Sequence, residues 1–380
     1  MLFDYETLKL IWWGLIGALL IGFALTDGMD MGVGTLLPFV GKNDTERRVV
    51  INTVGAHWDG NQVWFVTAGG TLFAAWPMVY ATAFSGFYFA MLLVLFALFL
   101  RPVGFDYRSK IDTHKWRNSW DWALFVGSTI PPLVFGIAFG NLLQGVPFTL
   151  DEFMRTSYHG SFFGLLNPFG LLCGLVSTAM ITMHGGFWLQ LRADTPVGDR
   201  AGRAGRISAL VTGVLFLLAG AWVAFGLDGY VITQLPDTNG LPDPLAKTVA
   251  LQPGAWLNNY DAQPLTLAFP LLGLLGAVMG MLCSMACRPA LAFTASSLSI
   301  AGIILTAGVS LFPFVMPSSL NLNASLTLWD ATSSQMTLNL MFWVVAIFLP
   351  IIISYTLWCY IKMWRKVTVN EIEQNSHSSY

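Results

Sequence analysis

Charge is scarce in this chain. Of its 380 residues only 11% are Asp, Glu, Lys or Arg, where a soluble domain carries about 25%. The formal net charge is −2, so there is no basic field for nucleic acid. Cysteine is sparse as well. Cys173, Cys283, Cys287 and Cys359 are scattered, which gives neither a disulfide framework nor a zinc spacing. Cys283 and Cys287, four apart at a helix end, fit ordinary packing, and no metal site is expected. The apolar–polar alternation of a membrane β-barrel is missing. A cleavable leader is not expected either. Met1-Leu2-Phe3-Asp4-Tyr5-Glu6 has acids where a signal peptide needs positive charge, and no small-residue cleavage site follows the first apolar run.

What is present is apolar: 55% hydrophobic residues and a mean hydropathy of +0.62. Repeated apolar runs of span length predict an all-α polytopic membrane protein, one membrane domain over 1–380 with about nine transmembrane helices. The spans are expected at about 8–40, 46–73, 77–100, 119–143, 161–190, 207–226, 264–283, 289–311 and 334–361. The first is interrupted by Thr26-Asp27-Gly28-Met29-Asp30. Asn43-Asp44-Thr45-Glu46 has the form of a capping box and is expected to open the second. Pro77 and Pro289 suit first helical turns. Pro131-Pro132 predicts a kink in the fourth. A cap for the ninth is expected within Asp330-Ala331-Thr332-Ser333-Ser334.

The few cations orient the chain. Lys42, Arg47 and Arg48, then Arg101, Arg108, Lys110, Lys115 and Arg117, then Arg192, Arg200, Arg203 and Arg206, Arg288, and finally Lys362, Arg365 and Lys366 fall on one side. Only Lys9, Arg155 and Lys247 of the 19 fall on the other. The positive-inside rule then predicts a periplasmic N-terminus and a cytoplasmic C-terminus. The outer loops, about 144–160, 228–263 and 312–333, are rich in Pro, Asn, Ser, Gly and aromatics. They are expected to lie on the membrane surface, with Tyr158, Trp256, Tyr260 and Trp329 in an interfacial aromatic belt. A substrate or quinone contact is the other reading of these loops. No strong internal repeat is visible.

Intramembrane charge is costly, so each instance asks for a use. Three carboxylates fall well inside predicted spans: Asp27 and Asp30 in the first, and Asp59 in the second, within His57-Trp58-Asp59-Gly60-Asn61-Gln62-Val63-Trp64. Asp27 and Asp30 are three apart and share a helix face. At 1.5 Å per residue Asp30 is about 18 Å from Lys42 and Asp59 about 16–17 Å from Arg48, so antiparallel neighbours set the two acids at nearly one level. They are expected to face each other, with Asn61 and Gln62 able to bridge. Three readings fit the cluster: a proton conduit from the cytoplasm, a polar core that fixes helix packing, or a cation site. His57 can belong to the proton path, ligate haem or bond a neighbouring helix, but on a helix it faces about 160° away from Asp59. His184, near the cytoplasmic end of the fifth span, fits packing or hydrogen bonding. His114, His159 and His377 fall in polar or loop segments. Bundle haem sites need axial ligands from facing helices, and no such pair stands out.

Longer stretches carry a resemblance. Trp12-Trp13 with Gly22-Phe-Ala-Leu-Thr-Asp27-Gly-Met-Asp-Met-Gly32, His57 to Trp64, Phe84-Ser-Gly-Phe-Tyr88 and Arg101-Pro-Val-Gly-Phe-Asp-Tyr-Arg108 are similar to subunit II of cytochrome bd quinol oxidases. So are Gly140-Asn-Leu-Leu-Gln-Gly145, Phe312-Pro-Phe-Val-Met-Pro-Ser-Ser319 and Trp329-Asp-Ala-Thr-Ser-Ser334, and nearly the whole chain is covered. The tail Glu371-x-x-x-Asn375-Ser376 resembles the proteobacterial members. The resemblance implies a multi-pass subunit of the bacterial inner membrane, paired as a heterodimer with the larger subunit I. It also implies a complex that oxidises ubiquinol or menaquinol near the outer face, reduces O2 to water, and builds proton-motive force without pumping. Haem b558, haem b595, haem d and the main quinol loop would sit on subunit I. Subunit II would shield the haems and carry acids of a proton path, by motif Asp59 and also Asp30 and Asp27. A further quinone in this subunit, membrane lipid and small single-span accessory subunits are also implied possibilities. Two other classes compete. A proton-coupled secondary transporter should show an internal repeat and discontinuous helices. A purely structural scaffold would carry the acids for packing alone.

Overall fold

The computed structural model describes residues 3–235 and 237–374. Asn375, Ser376 and His377 lie outside the described residues. Helix α1 (Tyr5–Val40) is followed by α2 (Asp44–Asn52), α3 (Trp58–Ala75), α4 (Pro77–Gly86), α5 (Tyr88–Tyr107) and α6 (His114–Gln144). After strands β1 (Phe148–Leu150) and β2 (Thr156–Tyr158) come α7 (Pro168–Arg192) and α8 (Val197–Gly226). Strands β3 (Asp228–Gln234) and β4 (Thr248–Pro253) precede the short α9 (Asn258–Ala262), then α10 (Ala268–Met285) and α11 (Pro289–Leu311). Strands β5 (Phe314–Met316) and β6 (Leu326–Thr327) lead to α12 (Gln335–Lys362) and α13 (Val369–Gln374). Among the described residues eight helices are long and apolar enough to cross a membrane, and the bent pair α3–α4 raises the number to nine.

Local chemistry sets the helix ends. Asn43 Oδ1 accepts the Glu46 N–H at 2.9 Å and starts α2. The return arm of the box lands one residue early, with Glu46 Oε2 accepting the Lys42 N–H at 2.7 Å. Asn167 caps α7 through the Gly170 N–H, and Ser334 caps α12 through the Thr337 N–H. Pro77 and Pro289 occupy first turns of α4 and α11. Both Pro131 and Pro132 are carried within the single helix α6.

The second and third expected spans are revised. The capping box opens only α2, and turn residues 53–57 separate it from α3. A bend of 119° at Trp76 then separates α3 from α4, which packs against β2 and β5. The helix expected from Pro77 therefore restarts at Tyr88 as α5. Arg101 is thereby moved from the end of a span to a buried position within α5.

At the centre, α1 packs on α3, α6, α7 and α11, while α7 also packs on α6 and α8. Glycine permits the α1–α7 crossing. A Cβ on Gly32 would lie 2.2 Å from the Ile181 carbonyl oxygen, and one on Gly185 would lie 2.3 Å from the Gly32 carbonyl carbon. Small residues are the means by which membrane helices approach so closely.

The three polar loops fold into antiparallel hairpins, β1–β2, β3–β4 and β5–β6. Buried cations fasten them. Lys9 of α1 donates to the Thr238 and Trp329 carbonyl oxygens at 2.7 and 2.6 Å. Lys247, ahead of β4, pairs with Asp330 at 2.9 Å, and both are buried. The aromatic belt is partly overturned here. Trp256 is buried with its Nε1 donating to the Leu143 carbonyl at 3.1 Å, and buried Tyr260 donates to the Thr306 carbonyl at 3.1 Å. At the opposite, basic end Arg108 bonds Asp121 and Asp44, and Arg47 bonds Asp121, tying α2, α5 and α6 together.

Candidate functional site

The buried polar cluster forms where α1, α3, α5 and α12 meet. Asp27 and Asp30 lie on one face of α1, three residues apart, and both are buried. Arg101 reaches Asp27 from α5 with two hydrogen bonds, Nη2 to Oδ1 at 2.5 Å and Nη1 to Oδ2 at 3.1 Å. Such fork-to-fork pairing is the strong form of a charged hydrogen bond. Asp30 is served differently. Its Oδ2 accepts the Asn61 amide at 2.8 Å, and its Oδ1 has no hydrogen-bond partner among the described residues. His57 Nδ1 stands 3.6 Å from that Oδ1 and 3.1 Å from Asn61 Nδ2, and its Nε2 also lacks a hydrogen-bond partner there. Tyr360 of α12 donates its hydroxyl to Asn61 Oδ1 at 2.9 Å.

Asp59 does not join this cluster. It is exposed on the first turn of α3, whereas His57 and Asn61 turn inward. The geometry of a helix explains the difference. His57 and Asn61 are four residues apart and about 40° from each other, while Asp59 lies about 160° from His57. The expected Asp30–Asp59 pairing is thus replaced by Asp30 with His57 and Asn61. Arg101 is the group the sequence analysis missed, having counted it with the loop cations. Two buried acids on one helix face call for a cation, and the nearest candidates were the arginines assigned to helix ends.

The other buried histidine is fully engaged. His184 of α7 bonds Ser296 Oγ through Nδ1 at 2.8 Å and the Leu25 carbonyl through Nε2 at 3.1 Å, and stacks on Phe293 with ring centres 4.4 Å apart. It has no nitrogen left to ligate a metal. His57 is held to Asn61 rather than to a second histidine. The buried histidines described here therefore do not fit an axial haem pair. A cavity of about 770 Å³ is lined by residues that include Phe23, Phe135, Phe169, Met180, Phe216 and Tyr260, and by none of Asp27, Asp30, His57, Asn61, Arg101 and Tyr360.

The sequence model of the family described as cytochrome bd terminal oxidase subunit II matches residues 8–363. The chain belongs to the cytochrome bd subunit II family. It is 58% identical over 377 residues to the cytochrome bd-I ubiquinol oxidase subunit 2 of Escherichia coli K12, covering 99% of this chain and 100% of that one. It is 33% identical over 364 residues to the cytochrome bd ubiquinol oxidase subunit 2 of Bacillus subtilis, covering 95% and 97%. The fold matches the bd oxidase structure from Geobacillus thermodenitrificans with a TM-score of 0.67 at 16% identity, covering 95% of this chain and 100% of that one. The chain is accordingly a multi-pass subunit of the bacterial inner membrane and part of a respiratory terminal oxidase, an oxidoreductase complex that uses haem and quinol and contains a subunit I. The transporter reading is set aside by this membership.

Proposed function

We propose that this subunit carries protons from the basic, cytoplasmic side to a haem-bearing subunit I, where ubiquinol or menaquinol is oxidised and O2 is reduced to water. In this reading haem b558, haem b595 and haem d sit on subunit I and supply the redox chemistry. This chain supplies the proton route, shields the haem-bearing partner and keeps its own N-terminus periplasmic.

One observation carries the reading: a buried carboxylate oxygen, Asp30 Oδ1, and a buried imidazole nitrogen, His57 Nε2, neither holding a hydrogen bond among the described residues. Asp30 also has no cation of its own, since Arg101 is paired with Asp27, and a buried acid in that state is costly for packing alone. The charge count supports the same reading. Asp27 and Arg101 neutralise each other, so the cluster stands at one net negative charge with Asp30 ionised and at zero when Asp30 takes one proton. The cluster is neutral while Asp30 holds a proton, and the single negative charge left when it departs favours uptake of the next one. His57 is placed to hand protons to Asp30 from the basic end. Asp59, on the exposed face of α3, is the group that would pass them across the boundary to subunit I, because an exposed acid at that depth must be covered by protein rather than lipid. The apolar cavity is the place where a second quinone would insert its tail. Lipid and small single-span subunits would cover the thinly buried flanks of α8 and α12.

The test is Asp30→Asn in the intact complex. Oxygen consumption per haem is expected to fall at least about a hundredfold, the lower side of what a positioned proton-transfer group contributes, with haem spectra and subunit ratio unchanged. Unchanged turnover per haem would mean that the acids only fix helix packing.

A further inference from the structure

The last spanning helix reaches into the cluster with one side chain. Tyr360 sits near the basic end of α12, a helix whose buried residues number only Leu338. Its hydroxyl nevertheless meets Asn61 Oδ1 at 2.9 Å, and its ring lies 4.8 Å from that of His57. So slight a helix needs an anchor to keep a side chain in register. Several contacts provide one just beyond Tyr360. Arg192 of α7 donates to the Met363 carbonyl at 2.5 Å, and its guanidinium stacks over the rings of Trp188 and Trp364 at 4.9 and 5.2 Å. The chain after α12 then bridges Val367 to Ala193 and lays α13 on α2.

The Asn61 amide is the hinge of this arrangement. A carboxylate only accepts hydrogen bonds, so the amide N–H must face Asp30, and the amide oxygen needs a donor on its other side. Tyr360 is that donor. With its O–H in place the amide is held one way round: Nδ2 on Asp30 Oδ2, and Oδ1 on the phenol. Without it the amide oxygen loses its donor, and the orientation of Asn61 rests on Asp30 Oδ2 and the His57 Nδ1 contact alone. The groups that face Asp30 are Asp27 on its own helix, Arg101 from α5, His57 and Asn61 from α3, and Tyr360 from α12, with Arg192 behind Tyr360.

We infer that Tyr360 is a positioning residue for proton transfer, fixing the Asn61 amide so that Asp30 Oδ1 stays open toward His57. The inference rests on the proposed proton route through Asp30. It makes the carboxyl-terminal helix and tail part of the route although no acid of α12 enters it.

The decisive measurement is a double-mutant cycle in the purified two-subunit complex, comparing Tyr360→Phe, Asn61→Leu, the pair, and Asp30→Asn. Turnover per haem, quinol KM and the H2O/D2O rate ratio are read for each. Tyr360→Phe is expected to lower kcat about fivefold, the worth of one hydrogen bond, to raise the isotope ratio and to leave KM and haem content unchanged. Adding it to Asn61→Leu is expected to cost nothing more, since the amide it holds is gone. A Tyr360→Phe complex with wild-type kcat and isotope ratio overturns the inference, as does full additivity with Asn61→Leu. If Asp30→Asn loses turnover while Tyr360→Phe does not, only the positioning role falls. If Asp30→Asn turns over normally, the proton route and the positioning role fall together.

Discussion

Arg101 and Asp27 form a two-pronged ion pair between α5 and α1, with both side chains about 1% exposed. The pair fixes how those helices meet beside Asp30. Removing one partner of such a pair strands the other charge, at about 3–5 kcal/mol. Arg101→Leu is therefore expected to reduce the thermal stability and yield of the assembled complex sharply. Asp27→Leu with Arg101→Leu should recover part of the loss, because two apolar groups replace two buried charges. Differential scanning of detergent-purified complexes measures both, and a double variant no better than the single one would contradict the ion-pair account.

The membrane class and the positions of most long helices were legible because hydropathy acts over whole turns of helix. The close expectations for α11 and α12 rested on long apolar runs with Pro289 and Ser334 at their starts. What was hidden lay where local rules give way to tertiary ones. The run from Pro77 to Leu100 is largely apolar, and the turn signal Ser85-Gly86 just ahead of the break at Phe87 was read through as part of one span, so Arg101 was assigned to a loop. Helical periodicity did place His57 and Asp59 on opposite sides. It could not say which of the two faces α1, because that depends on the turns at 53–57 that aim α3. The hairpin caps escaped for a related reason: Lys9, Lys247 and Asp330 look like ordinary loop charges until the fold buries them.

The α1–α7 crossing offers a packing test. Gly32 and Gly185 touch backbone to backbone, and overpacking a tight site costs typically about 1–3 kcal/mol. Gly185→Ala is expected to lower the melting temperature, and to lower turnover per haem as well, because α1 carries Asp27 and Asp30 on the same helix. Gly69→Ala is the control, since a Cβ there meets nothing within 4 Å. Equal melting temperatures for the two variants would mean that the crossing can relax.

Asp59 gives a way to separate transfer across the subunit boundary from the buried cluster. It is exposed in this chain, so Asp59→Asn should leave the folding of the subunit alone. Turnover per haem is expected to fall by about a hundredfold or more, with the Asp27–Arg101 pair and the haem spectra intact. Normal turnover in Asp59→Asn alongside a slow Asp30→Asn would move the exit from this chain to another residue.

The buried pair in the hairpin caps predicts a pH effect of definite sign. Burial pushes Asp330 above its ordinary value of 3.8, an effect opposed by Lys247. Burial pulls Lys247 below 10.5, opposed by Asp330. An acid whose folded value is raised binds its proton more tightly in the native state. Stability therefore declines as pH rises from 3.8 through the folded value, and it is regained on acidification. Lys247→Met removes the opposing charge and raises the Asp330 value further. At neutral pH this variant is expected to lose about 3–5 kcal/mol through the stranded carboxylate. The gap to wild type should then narrow as pH is lowered, because a protonated Asp330 no longer needs a cation. Limited proteolysis of the 228–263 segment across a pH series reads that gap directly. A gap that stays constant or widens toward acid would show that Lys247 holds the cap by its packing and its bond to the Pro244 carbonyl, not by its charge.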